Sequence, residues 1–164
     1  MHRQSVAVFD RFLAALAAIL TKTESHCETR KIKPEVLLAD RLFPDMLPLV
    51  KQVQLACDFA SRGSARLAGQ EPKVFPDQET TLADLHTRIS AARGYLAGFP
   101  PEAFADAADR QITFKAGPTD MTLSGADFLS FYALPQFYFH LTTAYAILRH
   151  NGVEIGKRDY MGAI

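Results

Sequence analysis

Apolar residues recur along this chain at helical spacing in four long stretches. From Val6 to about Cys27, Phe9, Leu13, Leu16 and Leu20 fall at i, i+4, i+7 and i+11, with Asp10, Arg11, Lys22 and Glu24 off the stripe. The segment ETRKIKPEVLLAD then gathers charge, and Pro34 suits the first turn of a short helix. A second long helix is predicted from Asp45, opened by Pro44, to about Leu67. Met46, Val50, Val53, Cys57 and Ala60 form one apolar line on it, and Leu49, Ala56 and Phe59 form another with Gln52 embedded.

GQEPKVFPDQET reads as a loop of about twelve residues, because two prolines, a glycine and polar side chains break any period. Such a loop is either functional or a bridge between helix ends. Thr80 or Thr81 caps a third helix whose stripe is Leu82, Leu85, Ile89, Ala92 and Leu96, ending at GFPP near Gly98. Residues 110–124 change period: Ile112 and Phe114 are spaced by two, AGPTD supplies turn chemistry, and Met121 and Leu123 are again spaced by two. A short β-hairpin is predicted there. The last helix runs from about Gly125 to Asn151, with Phe128, Tyr132, Phe139, Thr143 and Ile147 expected inward. Pro135 lies inside it, removes a backbone donor, orphans the Phe131 carbonyl and predicts a kink. Four stripes that are buried only against one another make an all-α four-helix bundle with a small β-hairpin inserted before the last helix.

Composition adds exclusions. The 164 residues are 48% hydrophobic and 22% charged, enough for one domain (1–164) whose core needs neither disulfides nor a structural metal. Eighteen basic side chains balance eighteen acidic ones, so no field recruits nucleic acid or an anionic membrane. The longest uninterrupted apolar run, FLAALAAIL, has nine residues, and no membrane partner is expected. Cys27 and Cys57 lack C-x-x-C spacing and are expected to be reduced thiols in a cytoplasmic protein, Cys57 as core filler.

Chemistry concentrates on two helices. Gln136 and His140, four apart, share one face, which Tyr132 and Thr143 extend. On the second helix Asp45, Leu49, Gln52 and Ala56 share a face that turns Asp45 and Gln52 toward His140. On pattern alone this is a satisfied polar network in a bundle core, since a zinc site wants three or four good ligands and only one is present. His86 reads as a boundary residue, and His26 and His150 as caps beside terminal carbonyls. His26 and Cys27 are sequence neighbours that point about 100° apart and form no nucleophile pair. Lys157 and Arg158 in GKRDYMG read as solvated tail residues.

PQFYFHLTTAYAILRHNGVEIGKRDYMG, RLFPDMLPLVKQVQLACDFA and FPDQETTLADLHTRI resemble the DinB/YfiT-like superfamily, and within it an uncharacterised branch, over nearly the whole chain. The resemblance implies up-down-down-up connectivity, a homodimer, and in metal-binding members three histidines at one end of the bundle. One comes from the second helix and two, as H-x-x-x-H, from the fourth. The family's second fourth-helix histidine precedes an arginine by nine residues and a glycine by twelve, as His140 precedes Arg149 and Gly152. The other two ligand positions then fall on Gln136 and Gln52. Amides are weak ligands for zinc or nickel beside imidazole, so the resemblance implies a degenerate metal site with His140 as its one metal candidate, and no cofactor is expected. The resulting expectation is a noncatalytic or ligand-binding bundle with an unidentified small molecule held by Asp45, Gln52, Gln136 and His140. Its alternatives are a metal-dependent thiol transferase or hydrolase using His140, a metal-free enzyme with His140 as general base, and a purely structural polar network.

Overall fold

The computed structural model describes residues 1–162; Ala163 and Ile164 lie outside them. After a 3-10 turn at His2–Gln4, α1 spans Val6–Arg30 and buries Phe9, Leu13, Leu16 and Leu20, the stripe read from spacing. It ends at Arg30, three residues later than expected, and is capped by Lys31, whose left-handed backbone (φ 56°) lets its N–H reach the carbonyls of Cys27 and Glu28. His26 therefore does not cap this helix. The stretch His2–Arg30 is long and apolar enough to cross a membrane by length and composition, with 44% of its most apolar window buried in the bundle.

Pro34 begins α2 (Pro34–Ala39), as spacing predicts. The second long helix, α3, is Leu49–Leu67 and does not begin at Asp45. Pro48 is the reason: a residue preceding proline is pushed out of the helical region, so Leu47 cannot belong to the helix. Residues 41–48 form an irregular exposed segment, in which Arg41 Nη1 donates to the Met46 carbonyl (2.7 Å). α4 (Leu82–Ala97) starts at Thr81 through a reciprocal cap: the Asp84 N–H donates to Thr81 Oγ1 (3.1 Å) and the Thr81 N–H to Asp84 Oδ2 (2.9 Å). Gly94 on its outer side has open space where a Cβ would stand. Gly94→Ala is therefore expected to stabilise the fold by about 0.5–1 kcal/mol in urea unfolding, by removing backbone freedom from the unfolded chain. A loss of stability would contradict it.

The hairpin pairs β1 (Gln111–Ala116) with β2 (Thr119–Ser124), Ile112 opposite Leu123 and Phe114 opposite Met121. Its two-residue loop is Gly117-Pro118. Proline cannot take positive φ, so the loop relies on Gly117 (φ 62°) at its first position, the II′ pattern. Ile112 and Phe114 face the core, whereas Met121 is exposed.

The last helix is composite. α5 (Gly125–Asp127) leads into a π-helical turn, Phe128–Ala133, and then α6 (Leu134–His150). The expected disturbance at Pro135 takes this form: the missing donor falls in the first turn of α6, where the preceding turn has already widened, with the Leu134 N–H reaching the Leu129 carbonyl. Gly125 starts the element where only hydrogen fits, since a Cβ would overlap the Ala107 carbonyl oxygen. Phe137 is buried and Phe139 is 56% exposed, the reverse of the expected placement of Phe139. The inward line runs through Ala133, Phe137, His140, Leu141 and Ala144, and position 139 lies beside it. The tail forms α7 (Lys157–Met161), tied to α1 by Lys22–Asp159 (2.6 Å) and by Arg11 donating to the Met161 carbonyl; Lys157 and Arg158 themselves are exposed.

Pairings along the helices set the connectivity. α1 and α4 run antiparallel, with Asp10 meeting Arg93 and Glu24 meeting His86. α3 and α4 run parallel, with Gln54 meeting Glu79 just before α4 and Asp58, one turn on, meeting Arg88 within it. α3 opposes α6 through Gln52–His140 and Phe59–Tyr132, and α6 runs alongside α1 through Phe9–Phe137 and Phe12–Tyr138. That is an up-down-down-up bundle, and the segment Ala68–Thr81 is the long crossover that lets two successive helices run the same way.

Candidate functional site

Antiparallel packing of α3 on α6 brings Gln52 and His140 together: His140 Nδ1 lies 2.8 Å from Gln52 Oε1, with the two residues 7% and 1% exposed. The orientation of the amide is forced. Gln52 Nε2 lies 2.9 Å from the Leu47 carbonyl, which only accepts, so the NH2 group faces Leu47 and the oxygen faces His140. Nδ1 must then carry the proton, leaving Nε2 with its lone pair. About two turns along α3 from Gln52, the Phe59 ring stacks on the imidazole (centroids 5.5 Å apart, planes 9° apart), and Phe139 meets it edge-on (5.2 Å). Burial penalises the imidazolium and lowers the His140 pKa to about 4.

The other expected members stand apart. Asp45 is exposed in the segment before α3 because that helix starts at Leu49, and it makes no hydrogen bond to Gln52, Gln136 or His140. Gln136 is half-buried on the His140 face, but among the described residues no hydrogen bond joins it to the pair. Thr143 Oγ1 donates back to the Phe139 carbonyl (2.7 Å), and Tyr132 packs on Phe59 and Phe114. Cys57 is fully buried, and burial drives its thiol up to about 12, so it is core filler.

A second polar cluster escapes the sequence reading. Arg88 of α4, 3% exposed, donates from Nη2 to Asp58 Oδ1 (2.6 Å) and from Nη1 to Glu79 Oε1 (2.9 Å) and the Pro76 carbonyl (3.1 Å). Arg62 donates to the other Asp58 oxygen (2.6 Å), Gln54 to the other Glu79 oxygen (2.6 Å), and Phe75 packs beneath the guanidinium. Burial works against the guanidinium's charge, but Asp58 and Glu79 outweigh it; burial likewise raises the Asp58 carboxyl against the pull of Arg62 and Arg88. This cluster pins the crossover to α3 and α4. Its signal was Arg88 itself, a charge between Leu85, Ile89 and Ala92 on an otherwise apolar stripe.

The residues at the Gln52–His140 site do not fit a zinc or nickel ion. The imidazole spends its Nδ1 proton on Gln52, both ends of the Gln52 amide are engaged, and Asp45 is elsewhere, so a single nitrogen remains. Among the described residues no three His, Cys, Asp or Glu side chains gather as a metal-holding group.

Comparison with known proteins agrees with the architecture. Residues 1–161 match the family model described as a domain of unknown function, DUF1993. A crystal structure of a DinB family member protein from Shewanella denitrificans is 46% identical, superposes with a TM-score of 0.93, and is matched over 99% of this chain and 92% of its own. No curated protein matches this chain. A four-helix bundle of this connectivity, matched by the family model over nearly its full length, belongs to the DUF1993 family, an uncharacterised branch of the DinB-like superfamily.

Proposed function

We propose that this chain is a noncatalytic DinB-like bundle in which the superfamily's metal position has become a buried polar bridge between α3 and α6. The observation that carries this reading is the forced chain Leu47 carbonyl, Gln52 amide, His140 imidazole, sealed by the Phe59 ring. The imidazole N–H and one N–H of the amide are both spent within the protein, which is how a structural network in a core is built. The same geometry argues against the enzyme readings. A general base works best with a pKa near the operating pH, and burial holds His140 at about 4.

Elemental analysis of purified protein is the test, combined with unfolding of Gln52→Leu. No stoichiometric zinc or nickel is expected, and chelator leaves the melting temperature unchanged. Gln52→Leu strands the His140 N–H and the Leu47 carbonyl and is expected to cost about 1–3 kcal/mol. One tightly held ion per chain that disappears in His140→Ala would overturn the reading.

A further inference from the structure

The last two and a half turns of α1 carry Lys22, Ser25, His26, Thr29 and Arg30 on one face, and with Glu154 from the segment after α6 they line a cavity of about 360 Å³. We propose that this cavity is a second site, unrelated to Gln52 and His140, that takes a small zwitterion bearing an oxyanion and an amine, of the free amino acid class.

His26 Nε2 has no exposed surface and no hydrogen-bond partner. Nε2 is thus sealed off, while the rest of the ring borders the cavity and reports on what the cavity holds. The volume is far beyond the roughly 30 Å³ of a water and within the roughly 300–1,000 Å³ of small-molecule sites. Basic residues at a helix C-terminus often do no more than offset its dipole. Here that role is filled otherwise: Lys31 caps the helix through its backbone, and Lys22 is neutralised by Asp159 (2.6 Å).

What remains has a definite chemistry. Among the described residues Arg30 and Glu154 are in no ion pair, with each other or with anything else, although both border the cavity, and the Thr29 hydroxyl makes no hydrogen bond. A guanidinium fork matches a carboxylate or phosphate in a two-point grip, and the Thr29 hydroxyl adds a donor beside it. Glu154 repels a simple anion and attracts an amine. A ligand with both charges satisfies both side chains at once, which neither half does alone.

The test follows the His26 ring resonances by NMR while glycine, L-glutamine and phosphoethanolamine are titrated separately, with acetate, inorganic phosphate and ethanolamine as the halves. At least one zwitterion is expected to shift the His26 signals saturably with a Kd at or below about 1 mM, and more tightly than either half by about tenfold. Glycine or L-glutamine would identify a carboxylate ligand, phosphoethanolamine a phosphate one. Arg30→Gln and Glu154→Gln, both changes at exposed side chains, are each expected to weaken that probe by about tenfold. Absence of a saturable shift with all three zwitterions, or binding indifferent to both substitutions, would overturn the proposal.

Discussion

Replacing Arg88 by alanine is expected to remove about 3–5 kcal/mol of stability, measured by urea unfolding, because it strands charges that the fold has already taken out of water. The Asp58 and Glu79 side chains are only 7% and 10% exposed, and Arg88 is the one cation that reaches both. The Pro76 carbonyl loses its donor as well, so the crossover loses its attachment to α4. A domain of this kind has about 5–15 kcal/mol in total, and the variant therefore lies close to unfolding. Arg88→Lys keeps a charge but offers no planar fork, and falls between the two. Arg88→Leu combined with Asp58→Leu is expected to recover part of the loss, since the penalty belongs to the unpaired charge more than to the missing bonds. A loss below about 1 kcal/mol in Arg88→Ala would show the cluster to be solvated in practice.

The second large effect is a dependence on pH. The His140 imidazole takes up a proton near pH 6.5 in the unfolded chain and only near 4 in the folded one. Between those values the unfolded state binds more protons, so acid favours unfolding; above pH 6.5 the contribution to stability is fully present. Each pH unit across the window is worth about 1.4 kcal/mol, and the loss approaches about 3 kcal/mol once the pH is below 4. Carboxylates titrate in the same range, so the informative quantity is the difference from His140→Gln, which keeps a donor toward Gln52 without a titrating ring. That difference is expected to grow between pH 6.5 and 4 and to be flat above. A flat difference throughout would mean that His140 is solvated, and with it the buried polar bridge would fail.

The Gln52–His140 contact shows how far one-dimensional reading reaches. Both residues were identifiable, His140 from the arginine and glycine that follow it at nine and twelve residues, and Gln52 as an amide inside an apolar line. Asp45 was misassigned on the same logic. Helical spacing projects Asp45 onto the face of Gln52 only if the helix extends that far, and Pro48 ends it first. Arg88 illustrates the opposite failure: the stripe of Leu85, Ile89 and Ala92 passes over the charge among them, whose partners Glu79 and Pro76 come from the crossover.

Periodicity by itself determined that there are four long helices, a hairpin at 110–124, a loop between the second and third helices, and an inward stripe of Phe9, Leu13, Leu16 and Leu20 on α1, because helix and strand repeats report directly which side of an element leaves water. Tertiary structure alone decided which inward atoms meet. That His140 meets Gln52 and neither Gln136 nor Asp45, that Arg88 joins α3, α4 and the crossover, and that the widened turn before Pro135 carries the chain into α6 all depend on how the segments pack together. Local repeats carry no information about that packing. It is set where side chains of distant segments interlock at the density of a packed core.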